Sequence, residues 1–153
     1  MHLPKTILVA TDFSETSDRA LDYAVDLAKL LDASITVMHA YELPVYGFPD
    51  GALIATVEIA TRIMTAAQAA LAQSCEVRAN KGVKLSPILR QGVAFEEVHS
   101  VAEEINADLI VIGTHGRKGL SRALLGSVAE KVIRTATRPV LTITGPKGSD
   151  KKG

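Results

Sequence analysis

Gly113-Thr114-His115-Gly116, nine further residues and then Gly126-Ser127 form the stretch whose residue types and spacing best suit chemistry. Glycines let a backbone approach a ligand closely and take conformations closed to other residues. Unpaired amides in such a loop, or at the start of a helix, hold an anion without any cationic side chain. Arg117, Lys118 and Arg122 add positive charge nearby. The chemistry would be the seating of phosphate. Two plainer readings stand beside it. Ser127-Val128-Ala129-Glu130 also spells a capping box, with Ser127 at the N-cap and Glu130 at N3, which says only that a helix begins. A Gly-x-x-Gly is equally a structural turn. The stretch is neither a P-loop, since no Gly-Lys-Ser/Thr follows at the required distance, nor a Gly-x-Gly-x-x-Gly dinucleotide turn.

Such a loop acts only where the fold presents it. Short apolar runs rich in β-branched residues alternate with longer stretches of helical period. The runs are 5–10, 34–40, 83–89, 108–112 and 139–143. The first and fourth are nearly unbroken apolar, as strands buried on both faces of a parallel sheet should be. Pro87 in the third suggests an edge strand or a bulge. Ser14 is a good N-cap for a first helix, with Glu15 suiting its dipole. Helices follow over about 52–80, 94–105 and 127–136. The order is β-α-β-α-β-α-β-α-β, an α/β fold with an open five-stranded parallel sheet and helices on both faces. Such sheets bind ligands at the carboxyl ends of the strands. Those ends fall just after Ala10, Ala40, Gln91 and Ile112.

Asp12 sits at the first of these ends, as a ligand residue or as a helix-start residue working with Ser14; the two roles can coexist. His115 lies in the glycine loop, solvated or touching phosphate. His39, inside the second strand, reads as a packed residue rather than a ligand. Cys75 reads as a buried, inert thiol. No histidine pair has zincin spacing and no Gly-x-Ser-x-Gly elbow is present, so no catalytic residue and no protein metal site is assigned.

With 153 residues the chain has room for one domain, here 1–144, and can bury a core without staples. Residues 145–153 carry no apolar side chain and read as a disordered tail. Aromatics are 4% with no Trp, so the core must be aliphatic. Lys plus Arg and Asp plus Glu are 17 each, which argues against a general nucleic-acid binder. One cysteine forbids an internal disulfide. No signal peptide and no run near the roughly 18 apolar residues of a membrane span are visible, so the expected location is the cytoplasm.

Val9-Ala10-Thr11-Asp12-Phe13-Ser14, the glycine motif 113–128 and Arg138-Pro139-Val140-Leu141 together resemble the universal stress protein family, in its ATP-binding branch, over about residues 4–144. The resemblance implies strand order 3-2-1-4-5 in a Rossmann-like fold of the adenine-nucleotide α-hydrolase type. It implies ATP in the cleft, with Mg²⁺ or Mn²⁺ held through phosphate oxygens. Carried across by position, Asp12, with Thr11 and backbone near Ala10, would hold the adenosine side. Backbone at Ala40 would read the adenine edge. Gly113, after Ile112, would lie near the ribose. Gly116, Gly126, Ser127 and Val128 would seat the phosphates, with Thr114, His115 and Arg117 in the same loop. It also implies a homodimer through the edge strand Val140–Ile143.

The function expected is nucleotide-dependent stress response, with ATP as ligand and at most slow hydrolysis. Three rival readings stand beside it. A nucleotidyl-transferring or hydrolysing enzyme would carry His-x-Gly-His or Ser-Gly-Gly-x-Asp-Ser after strand one, where this chain has Thr11-Asp12-Phe13-Ser14. A signalling receiver would need an acidic pair there and an Asp after strand three, which instead ends Arg90-Gln91. A partner-binding module with an empty or cAMP-filled cleft stays open.

Overall fold

The computed structural model describes residues 2–44, 49, 56–115 and 125–145. The elements are β1 (Thr6–Ala10), α1 (Glu15–Leu31), β2 (Ser34–Tyr41), α2 (Val57–Glu76), a short 3₁₀ turn (Ala79–Lys81), β3 (Leu85–Gln91), α3 (Ala94–Glu104), β4 (Leu109–Gly113), α4 (Ser127–Thr135) and β5 (Val140–Ile143). The strands pair in the order β3-β2-β1-β4-β5, every pair parallel. The expected sheet is the sheet observed.

Strand alternation sorts the aliphatic residues into two cores. Ile7, Val9, Ile35, Val37 and Val111 face Ala20, Leu21, Ala24 and Val25 of α1 and Leu71 of α2. Leu8, Met38, Ile110 and Ile112 face Val98 and Val101 of α3 and Ala129 and Val132 of α4. Central strands β1 and β4 are buried on both sides, which explains their unbroken apolar runs. Ser14 caps α1 as expected, its hydroxyl accepting from Ser17 N–H at 3.2 Å. α2 ends at Glu76, short of position 80, because the chain turns into the 3₁₀ segment; residues 52–55 of the expected helix lie outside the described residues.

Both edges are where the residues placed them. In β3 the even-numbered amides serve the ladder to β2, Gly92 N–H reaching Tyr41 C=O at 2.9 Å. The missing N–H of Pro87 therefore faces the open edge, where it costs nothing. β5 is half-buried along its whole length.

Asp108 ties the start of β4 to the start of β1. One of its oxygens accepts from Lys5 N–H and Thr6 N–H, each at 2.9 Å. Those two bonds hold its carboxyl below the ordinary aspartate range. A depressed folded pKa gives stability that is present above the unfolded value of about 3.9 and lost as pH falls through the folded one. Asp108→Asn keeps the shape and drops the charge. In urea titrations the wild type should exceed the variant at pH 7, and the gap should close as pH falls below about 4. A gap independent of pH would contradict this.

Candidate functional site

β1 ends at Ala10 and the chain must turn sharply to enter α1. The turn is held by its own side chains. Thr11 is buried, and its hydroxyl oxygen accepts from Phe13 N–H at 3.0 Å. Ser17 O–H donates to Ser14 C=O at 2.9 Å, so the Thr11 hydroxyl donates to Ser17 Oγ, 3.0 Å away. Asp12 Oδ1 accepts from Ser14 N–H at 2.9 Å. Together these hold Phe13 at φ 63°, a left-handed conformation uncommon for a bulky residue. The Phe13 ring lies 4.4 Å from the His39 ring, and His39 Nδ1 is 2.7 Å from Thr11 C=O.

β4 ends beside this turn. Thr114 N–H bonds Ile143 C=O at 2.9 Å, and Thr114 C=O accepts from Gly126 N–H at 2.6 Å, which places the start of α4 against the end of β4. Thr114 Oγ1 and His115 Nδ1 are 2.7 Å apart. His115 Nε2 is buried with no hydrogen-bond partner among the described residues.

The capping-box reading is corrected here. Gly126, not Ser127, is the N-cap of α4, with extended dihedrals (−59°, 148°) and no side-chain cap; its C=O accepts the first helical bond, from Glu130 N–H at 2.9 Å. Ser127 is already helical, and Glu130 pairs with Arg134 at 2.9 Å. Glycine competes well with Ser at an N-cap, which moves the boundary by one residue. Among the described residues no side chain caps the first amides of α4. Ser127→Ala should therefore change stability by less than about 0.5 kcal/mol in thermal or urea melts, the ordinary range for a surface substitution. A loss near 1 kcal/mol would restore a capping role.

Between these two strand ends lies a crevice of about 310 Å³. Of the residues expected to bind a ligand, Ala10, Thr11, Asp12, Ala40, Ile112, Gly113, Thr114, His115, Gly126, Ser127 and Val128 all line it. Gly116 and Arg117, with Lys118 and Arg122, lie outside the described residues. Ser17, Met38, His39, Ala94, Val98 and Ala129 also line it and were not singled out as ligand residues. Ala94 and Val98 could have been found, being one turn apart at the start of the helix after β3. His39 is half-buried against Phe13, as a packed residue should be, and yet it borders the crevice. Cys75, half-buried on α2, does not line it; burial raises its thiol pKa, opposed by Arg78.

The site has an apolar slot and two polar ends. Ala10, Met38, Ala40, Val98 and Ile112 make its apolar walls. One end is the start of α4. At the other, β2 runs past the end of β1. Ser34 N–H bonds Lys5 C=O and Thr11 N–H bonds Met38 C=O, so even-numbered β2 residues turn their backbone groups towards β1. Ala40 is the next even residue, and β1 has ended. Its N–H and C=O face the crevice as an adjacent donor and acceptor. Asp12 is the one carboxylate among the described lining residues, and no cluster of three or more His, Cys, Asp or Glu able to hold a metal occurs among the described residues. A planar, heteroatom-edged group with an anionic tail is the chemistry this arrangement fits.

A model of the universal stress protein family matches residues 4–144. Universal stress protein MJ0531 of Methanocaldococcus jannaschii is 37% identical over 148 residues, covering 95% of this chain and 85% of that protein. Among solved structures, hypothetical protein MJ0577 superposes with a TM-score of 0.79 at 28% identity, over 94% of this chain and 98% of that one. A universal stress protein in complex with cAMP does so with a TM-score of 0.69 at 26% identity, over 94% and 98%.

Proposed function

The chain belongs to the universal stress protein family, and we propose that it is an adenine-nucleotide-binding stress-response protein that uses ATP as a ligand rather than as fuel. The observation that carries this reading is the two-ended crevice. The Ala40 N–H and C=O would meet the acceptor and donor on the edge of adenine, the apolar walls would sandwich the base, and the uncapped amides of Ser127, Val128 and Ala129 would face the phosphates. His115 Nε2 is an orphaned polar atom at the phosphate end. Gly116 and Arg117 would join it. Mg²⁺ or Mn²⁺ would be held through phosphate oxygens, since Asp12 is the one carboxylate among the described lining residues and already accepts from Ser14 N–H.

Hydrolysis needs a positioned water and stabilisation of developing charge. No residue is assigned to position that water, so binding rather than turnover is the proposed output. Occupancy at about 100 times the Kd would stabilise the bound conformation by about 2.7 kcal/mol, enough to bias a partner-binding surface. The cAMP complex of the structural relative favours a second reading, a cyclic nucleotide in the same slot.

The half-buried edge of β5 supports a homodimer through Val140–Ile143. A monomer at micromolar concentration in sedimentation would remove it. No helix among the described residues is long and apolar enough to cross a membrane, and the proposed location is the cytoplasm.

The test of function is acid extraction of freshly purified protein with chromatography of the released nucleotide, followed by calorimetric titration of the emptied protein with Mg·ATP and with cAMP. Tighter binding of Mg·ATP supports the first reading, tighter binding of cAMP the second. Binding of neither overturns both.

A further inference from the structure

The donor and acceptor of Ala40 stay open although a backbone partner lies next to them. By the parity of the β1–β2 ladder, the bond after Thr11 N–H to Met38 C=O would run from Ala40 N–H to Thr11 C=O. On the opposite side of β2 the corresponding step is made, Gly92 N–H reaching Tyr41 C=O beyond the end of β3. On the β1 side it is not; among the described residues the backbone bonds between these two strands stop at this end with Thr11 N–H. Thr11 C=O instead lies 2.7 Å from His39 Nδ1.

We infer that His39 is a positioning residue which keeps the base-reading edge of the crevice open by taking the carbonyl that would otherwise close it. This rests on the adenine-nucleotide reading above and explains how its recognition edge is kept from pairing with β1. A carbonyl only accepts, so Nδ1 must carry the proton. That holds for the Nδ1–H neutral tautomer and for the imidazolium alike, and the bond persists in both. The imidazole is set for the task by its neighbours. Odd-numbered β2 residues face the α1 side, where the ring meets Phe13 at 4.4 Å. Phe13 reaches it only because the Thr11–Ser14 turn holds φ at 63°. The left-handed Phe13, the inward Thr11 carbonyl and the His39 ring are thus one device, built across 28 residues of sequence. Removing the imidazole donor lets β1 and β2 zip by one more bond. Ala40 N–H then turns inward to Thr11 C=O, and the slot loses its donor.

The geometry selects the variants. The amide nitrogen of Asn sits where Nδ1 does, whereas that of Gln sits one bond further out. His39→Leu and His39→Gln should both lose the bond to Thr11; His39→Asn should keep it. The first readout needs no nucleotide: amide hydrogen exchange at Ala40 in the emptied full-length protein. In wild type and His39→Asn this amide should exchange fast. In His39→Leu and His39→Gln it should be slowed about tenfold or more, as a newly formed ladder bond requires. The second readout is calorimetric affinity for Mg·ATP, expected to fall about tenfold in the Leu and Gln variants and to return in the Asn variant, one hydrogen bond's worth. Equal Ala40 exchange in wild type and in whichever of the Leu and Gln variants folds would overturn the inference. A wild type that binds no adenine nucleotide overturns the functional reading instead, and leaves the exchange result to decide the role of His39.

Discussion

Gly126→Asp should leave a folded, slightly more stable protein that no longer binds Mg·ATP. The two effects have opposite signs because one residue serves two purposes. Gly126 is the N-cap of α4, with dihedrals that any residue adopts. Asp is among the best N-caps, gaining a few tenths of a kcal/mol over Gly, and its charge suits the helix dipole. The same carboxylate would take the amides at the start of α4, the groups proposed to face phosphate. It would also set a negative charge against another. Two unit charges 4 Å apart at an effective dielectric of 20 repel by about 4 kcal/mol. A loss of about 100-fold or more in affinity is therefore expected, equivalent to about 2.7 kcal/mol. Gly126→Ala reverses the pattern, losing stability because Ala is a poor cap while adding no charge. Calorimetry and urea melts on both variants decide the matter. Unchanged ATP affinity in the Asp variant would remove the phosphates from the start of α4.

The reach of the sequence can be judged at particular residues. β1 and β4 were legible because strands buried on both faces leave no polar position to confuse the period. Ser14 was legible because a capping bond spans only three residues. The crevice was legible as a place, since a parallel sheet binds at its carboxyl ends. The N-cap of α4 was misplaced by one because Gly126 and Ser127 are both acceptable caps; Thr114 C=O, which takes Gly126 N–H, decides between them from across the fold. From its place inside β2, His39 reads as packing alone. Its bond to Thr11 follows from β1 and β2 lying side by side and from the left-handed turn at Phe13, which neither residue's neighbours announce. Local signals marked local bonds, and the pairings that shape the site are long-range.

Gly113 shows how packing and ligand roles separate, and Gly113→Ala carries the second large effect. The resemblance placed this glycine near a ribose, and it does line the crevice. A Cβ added there, however, would meet Thr16 Cγ2 at 2.9 Å, Thr16 C at 3.2 Å and Ser17 N at 3.3 Å. Two of those atoms are the backbone of α1, which cannot rotate away. α1 sits so close to β4 that only a residue without a side chain fits between them. The variant must push the start of α1 outward, at a cost of about 1–3 kcal/mol for overpacking, or about 2–4 °C in Tm per kcal/mol for a chain of this size. The displaced turn carries Thr11 and Asp12, so ATP affinity should fall with stability. Thr16→Ser removes the atom at 2.9 Å. In the double variant Gly113→Ala/Thr16→Ser, much of the lost stability should return, leaving the 3.2 and 3.3 Å contacts to account for the remainder. A double-mutant cycle reads this directly, with a coupling of about 0.5–3 kcal/mol expected between residues in contact. Strict additivity, with affinity lost and stability kept in Gly113→Ala, would mean that the glycine is there for the ligand and that the close approach of α1 has slack.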